Sequence, residues 1–413
     1  MRKAVIISLD AVFEADLGSL DPDGALARLM REGASCTQVR TVFPALTYPC
    51  HVTLVSGCDP DRTGVGQNQP FQPDTPGPMR KWYWESRYVQ VPTLFDAVRA
   101  AGGKSASILW PVNCRNPAVS WCLPEVHALP GENQTLKALR YGTPFYCIRA
   151  EKKFGKLRRG ASEPALSDFA AAVAADTIRT FRPALTAVHL IDTDSMRHHH
   201  GTFSPEAAAS LSRHDARIDA IRRALAESPG MEDALLIIVS DHGQADIHTA
   251  VHLQTVLAPL GLEAALLPQS NGMSAYLFPG PDAPAPGDRE AWARIERTLT
   301  DHLADLGASR LYTREELLRL HAAPGPILAL EATEGVAYTD RLDREKREKA
   351  THGFGPGHPA ENCLFAAVGK GIMPGKKLSP MPMRDVGPTI AGLMGLSLPE
   401  STGTDHSPEI WGN

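Results

Sequence analysis

Short apolar runs alternate with amphipathic stretches along most of this chain. The runs at 5–9, 105–110, 185–191, 234–240 and 364–369 are predominantly apolar, as strands buried on both faces are. Helical spacing recurs between them, at 24–32, 92–101, 166–182, 205–226 and 384–394. In 166–182, for example, Phe169, Ala172, Val173, Ala175 and Ile178 trace one face of a helix. Strands alternating with helices predict an α/β fold built on a doubly wound, largely parallel sheet flanked by helices. The texture changes after about residue 268. A Pro/Gly-rich loop at 279–287 precedes a helix at 289–306, a helix start at 312–316 and a strand at 327–330. This predicts a smaller α/β insertion, cap-like, over 268–333, leaning over a catalytic core made of 1–267 and 334–413. Residues 130–163 read as a second, loop-rich excursion.

A length of 413 residues with 43% apolar and 22% charged content supports a sizeable core. The net charge of -5 argues against a general binder of nucleic acid or anionic membrane. Two basic stretches stand out, 152–159 and 341–349. The first reads as a solvated face, with a substrate or RNA role as the alternative. The second is interleaved with Asp340, Asp343, Glu345 and Glu348 and predicts a salt-bridged exposed helix. The seven cysteines form no CxxC pair, so neither a disulfide framework nor a structural zinc site is indicated. The N-terminus carries no secretory core, and no apolar stretch is long enough to span a membrane. The expectation is a cytoplasmic protein with no membrane partner.

Three of the candidate strands run into aspartates: Asp10, then Asp192 and Asp194, then Asp241. Ligand sites in an open parallel sheet form outside the carboxyl ends of the strands, so these side chains converge on one edge. Gathered carboxylates repel one another at considerable cost unless a cation compensates them. Each aspartate alone reads equally as a helix N-cap. The set does not, because histidines follow at ligand spacing: His198 after Asp194, His242 after Asp241, and a later His352-Gly353. Carboxylate with imidazole suits zinc or manganese better than magnesium or calcium. The segment Phe43-Pro44-Ala45-Leu46-Thr47-Tyr48-Pro49-Cys50-His51 then offers a hydroxyl, Thr47, beside a helix N-terminus, where amides favour an anion.

These motifs together resemble the alkaline phosphatase superfamily, specifically its nucleotide pyrophosphatase/phosphodiesterase (type I phosphodiesterase) branch. The likeness runs from Val5 to about Pro399, and the ordered set carries it: Asp10, Phe-Pro-x-x-Thr-Tyr-Pro-x-His, Asp-x-x-x-His-x-x-Gly, Asp-His-Gly and the late His-Gly. The closing Arg384 to Ile390 segment is also similar to the family's last helix. The resemblance implies an alkaline phosphatase-like fold and two divalent ions, most readily zinc, with manganese as the alternative. One ion would be held by Asp194, His198 and His352, the other by Asp10, Thr47, Asp241 and His242. It further implies Thr47 as the nucleophile of phosphodiester or pyrophosphate hydrolysis, through a covalent phospho-Thr47 intermediate. Asn68 falls where the family has a donor to a phosphoryl oxygen.

The implied partner is a small phosphorylated substrate such as a nucleotide. Phe71, Trp82, Tyr83 and Trp84 are candidates to stack on it, and equally candidates for packing. Three positions depart from the family pattern: Ala11 where a glycine is common, Cys50 for asparagine and Thr63 for histidine. Asp192 rivals Asp194, and His358 rivals His352; His199 and His200 read as peripheral. Alternative activities are a phosphonoacetate-type carbon–phosphorus hydrolase and a phosphomonoesterase. A catalytically silent metal- or ligand-binding relative is the alternative outside enzymes. The oligomeric state stays open.

Overall fold

The computed structural model describes residues 1–340 and 348–412. Its large sheet has eight strands, in the order Met381–Pro382, Ala34–Arg40, Asn362–Val368, Leu235–Val239, Ala4–Leu9, Leu185–Leu190, Ser105–Ile108 and Trp121–Leu123. All run parallel except Asn362–Val368, which is antiparallel to both neighbours. Ala4–Leu9 is buried along its whole length. Its register sets Leu9 opposite Leu190 and Ser8 opposite Val239. Three parallel strands therefore end level, and the chain leaves each of them at the same edge.

Alternate residues of Ala4–Leu9 feed two cores, as the period of a strand requires. Val5, Ile7 and Leu9 pack with Leu29 of helix Ala25–Glu32, Val173 of Ala165–Phe181, and Ile218 and Ile221 of Pro205–Ala226. Ala4 and Ile6 pack with Leu54 of helix Thr47–Ser56, Val98 of Leu94–Ala100 and Ile390 of Val386–Met394. Helices thus cover both faces, as the sequence pattern predicts. Each fully buried Leu or Ile contributes roughly 1.5–3 kcal/mol.

Ala34–Arg40 is a strand the apolar pattern does not reveal. It mixes Ser35, Thr37, Gln38 and Arg40 with Cys36 and Val39, and it is fixed by ladders on both sides. The strand expected over 105–110 stops at Ile108, because Leu109 turns to φ +52°. The loop-rich reading of 130–163 needs correction. Two helices occupy it: Gln134–Tyr141, capped by Asn133, whose Oδ1 accepts from the Leu136 N–H, and Pro144–Phe154, with proline in its first turn. The helix expected to reach 306 ends at Asp301.

A second, antiparallel sheet is ordered Ala308–Tyr312, Leu328–Ala332, Ser274–Pro279, Leu266–Ser270. Helix Arg289–Asp301 covers it through Ile295 and Leu299. The apolar cluster beneath also draws in Leu253, Leu257 and Tyr338. The basic run at 341–349 lies outside the described residues apart from Glu348 and Lys349. Among the described residues, no helix is long and apolar enough to cross a membrane.

Candidate active site

The carboxyl edge of the sheet gathers side chains from four directions. Asp10 follows Ala4–Leu9 directly, and Asp241-His242 follows Leu235–Val239. Helix Asp192–His200, entered from Leu185–Leu190, presents Asp194 and His198 one turn apart on the same face. His352 arrives by a different logic. The strand it leads into is antiparallel, so that strand begins at the edge where its neighbours end. The glycine after it is obligatory: Gly353 has φ +88°, and a Cβ there would lie 1.6 Å from the Asn271 carbonyl oxygen.

Among the described residues, three clusters have one donor atom per residue within 4.8 Å of the others: Asp10–Asp241–His242, Asp194–His198–His352 and His51–His189–Asp241. The third shares Asp241 with the first; the first two carry the residues singled out from the sequence. They are joined by the rings of His242 and His352, stacked 3.8 Å apart at 13°. Thr47 is the first residue of helix Thr47–Ser56, after the extended Leu46. Its Oγ1 lies 3.1 Å from His242 Nε2. Asn68 is bound to the next residue, its Oδ1 accepting from the Tyr48 N–H at 3.0 Å.

The imidazoles share one orientation. Nδ1–H of His198 donates to the Ala350 carbonyl at 2.9 Å, that of His352 to Ala45 at 3.0 Å, and that of His242 to Gly243 at 3.2 Å. Each ring therefore turns its Nε2 toward its cluster, and in the neutral form presents a lone pair there, the arrangement that backbone acceptors impose on metal-binding histidines. The carboxylates are anchored by one oxygen. Asp241 Oδ1 accepts from the Ala11 and His242 N–H groups at 3.1 and 3.0 Å. Asp10 Oδ2 lies 2.9 Å from His189 Nε2. Asp194 Oδ1 is held by Gln244 Nε2. The other oxygens of the buried pair, Asp10 Oδ1 and Asp241 Oδ2, have no hydrogen-bond partner.

Electrostatics follow from this crowding. Burial, and then the Asp194 charge, pushes the Asp10 carboxyl well above its usual range. Burial, and then Asp10, does the same to Asp241. At Asp194 the upward push of burial is outweighed by the charge of His198, and the carboxyl goes down. Burial lowers His198, but Asp194 outweighs it and the ring rises to about 9. Burial and then neighbouring His352 lower His242. Orphaned buried oxygens, carboxyls pushed up by burial and neighbouring charge, and imidazole Nε2 atoms facing inward are what a cation site looks like without its charge. The residues present fit a pair of divalent ions.

The rival candidates point elsewhere. Asp192 is fully buried between Arg213 and Arg217, with contacts of 2.7 and 2.8 Å to the first and 2.7 Å to the second. His358 stacks on Phe354 at 4.2 Å, outside both clusters. His199 and His200 are exposed and belong to neither cluster. Of the four aromatics, Trp82 lines a cavity of about 570 Å³ with Asn68, Asn271, Tyr338, His198 and His352. Phe71 stacks on Phe278, Tyr83 packs on Tyr88, and Trp84 is buried under Lys137. His189 and Gln244 escape the sequence reading, and His51 enters it only as the end of the Thr47 motif, with no role of its own. His189 sits mid-strand, where a lone histidine reads as core, and Gln244 carries no charge to attract attention. His51 directs Nδ1–H to the Thr47 carbonyl at 2.8 Å and lies edge-on to His189 at 4.3 Å.

Murine ectonucleotide pyrophosphatase/phosphodiesterase 5, whose inactive variant has been solved in complex with AMP, has the same fold. Its TM-score is 0.72 at 16% identity, over 98% of each chain. An ectonucleotide pyrophosphatase/phosphodiesterase of Caenorhabditis elegans is 22% identical over 91% of this chain and 41% of its own length. The Xenopus laevis bis(5'-adenosyl)-triphosphatase is 27% identical over 26% of this chain and 24% of its own. The chain spans less than half the length of these curated relatives. The family description "type I phosphodiesterase / nucleotide pyrophosphatase" matches residues 4–355, from the first strand through the His352-Gly353 pair. The chain belongs to the type I phosphodiesterase/nucleotide pyrophosphatase family.

Proposed function

We propose that this chain hydrolyses phosphodiester or pyrophosphate bonds with the help of two divalent ions, using Thr47 as the nucleophile. One observation carries the reading: the Thr47 hydroxyl lies 3.1 Å from His242 at a helix N-terminus, beside two carboxylate–imidazole clusters joined through stacked rings. Asp10, Thr47, Asp241 and His242 would hold one ion, and Asp194, His198 and His352 the other. Mixed nitrogen and oxygen donors favour zinc, with manganese as the alternative. Bound there, such ions would offset the charge that develops on the attacking and leaving oxygens and polarise the phosphoryl group.

The chain's own groups do the rest. Thr47 Oγ1 bonds to phosphorus as the P–O bond to the leaving group breaks, giving phospho-Thr47, and the leaving oxygen takes the proton Thr47 gives up. Water then adds to phosphorus as the Oγ1–P bond breaks, and its proton restores the Thr47 hydroxyl. Asn68, with Oδ1 occupied by the Tyr48 N–H, keeps its Nδ2–H group for an equatorial phosphoryl oxygen. Asp10, Asp194 and Asp241 offset three of the four formal charges of two such ions, and the remainder favours an anionic substrate. A nucleotide is supported by Trp82 and the amides of Asn68 and Asn271 in one cavity, and by the AMP in the murine relative's complex. A cytoplasmic location is part of the proposal; seven unpaired, buried cysteines suit a reducing compartment.

The test is a panel of bis(4-nitrophenyl) phosphate, 4-nitrophenyl phosphate, phenyl phosphonate and phosphonoacetate, assayed on zinc- and manganese-loaded protein. The diester is turned over fastest, and Thr47→Ala lowers kcat roughly a thousandfold or more while still binding metal. Undiminished turnover by T47A, or a preference for phosphonoacetate or the monoester, contradicts the reading. Metal binding without any turnover by the unaltered protein makes it a silent relative.

A further inference from the structure

A second cavity, of about 1220 Å³, opens on the other side of the Asp194–His198 pair. It adjoins the Trp82 cavity, since His127 and His198 line both. Its floor is Asp194 and His198, and its walls include Leu109, Leu123, Leu139, Ile148, Leu166 and Phe169. Those walls come largely from helices Gln134–Tyr141, Pro144–Phe154 and Ala165–Phe181. At its mouth Ile148 is 51% exposed. The volume is at or above the upper end for small-molecule sites, and apolar walls around a few polar groups are their usual make-up.

The position of this cavity decides what it receives. Thr47 stands by His242, in the Asp10–Asp241–His242 cluster. In-line displacement directs the leaving oxygen away from the nucleophile, toward Asp194, His198 and His352. Two of those three residues, Asp194 and His198, line the second cavity. Its charges decide which leaving groups fit. The carboxyls of Glu125, Glu151 and Glu163 outnumber the cations of Lys152 and Arg158, and Arg158 is already paired with Glu151 at 2.7 Å. The wall thus offers an anionic leaving group such as a diphosphate no cluster of cations to pair with. Burial pushes Glu125 and Glu163 up to about 7, so the wall is closer to neutral than its carboxyl count implies, which suits an uncharged arm.

We propose that this cavity is the leaving-group pocket and that it takes an uncharged apolar arm, acyl, isoprenoid or aryl, of a phosphodiester whose other arm occupies the Trp82 cavity. The assignment rests on the hydrolase reading above. Thr47 Oγ1–P forms as the P–O bond to the apolar arm breaks, and the arm leaves as its alcohol, taking the proton that Thr47 gives up. Water then cleaves phospho-Thr47 to the monoester and restores the hydroxyl. Apolar walls reward each buried methylene of that arm.

The experiment compares methyl, butyl and octyl 5'-esters of AMP, below aggregation, on zinc-loaded enzyme, with release of AMP as the readout. kcat/KM rises from methyl to octyl by about thirtyfold or more, and Ile148→Asp lowers the octyl-to-methyl ratio at least fivefold. A flat or falling series, with the methyl ester and bis(4-nitrophenyl) phosphate still cleaved, overturns the pocket assignment and leaves the hydrolase reading standing. If no ester is cleaved the hydrolase reading falls, and calorimetry with the same esters decides the pocket. Tighter binding of the octyl ester upholds it, and equal affinities overturn it.

Discussion

Ala11 is fully buried at φ +60°, a conformation that costs an L-residue roughly 1–2 kcal/mol. It holds that shape because its N–H donates to Asp241 Oδ1 and its carbonyl accepts from Arg197. The departure from glycine at this position is therefore strained rather than free. Ala11→Gly relieves the strain and loses chain entropy of similar size, so urea denaturation should return a change between zero and about +1 kcal/mol, not the loss usual for Ala→Gly. Residues of this kind also mark how far the candidate site was legible. Charged and imidazole side chains at strand ends with four-residue spacing gave Asp10, Asp194, His198, Asp241, His242 and His352, all of which meet here. Between Asp194 and Asp192 only spacing spoke, and the two arginines on Asp192 explain why its charge serves packing instead. His189 and Gln244 orient Asp10 and Asp194 across long sequence separations, which no local pattern encodes.

Elements set these positions through where they stop. Helix Thr47–Ser56 ends at Gly57, φ +69°, where a Cβ would meet Ser401 Oγ at 2.2 Å and Pro388 Cδ at 2.7 Å. Gly57→Ala should cost about 2 kcal/mol or more, read as a lowered urea midpoint, since both strain and overlap oppose it. Helix Ala165–Phe181 begins beside Glu163, whose carboxyl accepts from the Ser167 N–H and hydroxyl. Burial pushes that carboxyl up to about 7. Its folded pKa lies above the unfolded value near 4.5, so the folded state binds more protons across that window and stability falls as pH rises through it. Glu163→Gln removes the dependence. Thermal unfolding should show the variant more stable than the parent at pH 8, by on the order of 1–3 kcal/mol, and indistinguishable at pH 4. The fold itself was legible where apolar runs were long and where helical faces repeated. Ala34–Arg40 was hidden because ladder pairing, not side-chain burial alone, makes it a strand.

The whole molecule works as an edge-gathering device. Parallel strands deliver Asp10, Asp194 and Asp241 to one side, the single antiparallel strand of the large sheet sends His352 there from the opposite chain direction, and the smaller sheet braces the result. Asn271, from the turn between two of that sheet's strands, accepts from Gln67 at 2.6 Å, and the Met273 N–H donates to the His352 carbonyl at 2.8 Å. Without compensating charge, the buried carboxyls oppose one another, so ions that bind the folded chain stabilise it by mass action. Anomalous diffraction at the zinc edge from zinc-loaded crystals tests this most directly. The account predicts two peaks about 4 Å apart, one among Asp10, Thr47, Asp241 and His242 and the other among Asp194, His198 and His352. A hydrolytically active crystal with no peak beside Thr47, or with its ions elsewhere, would contradict it.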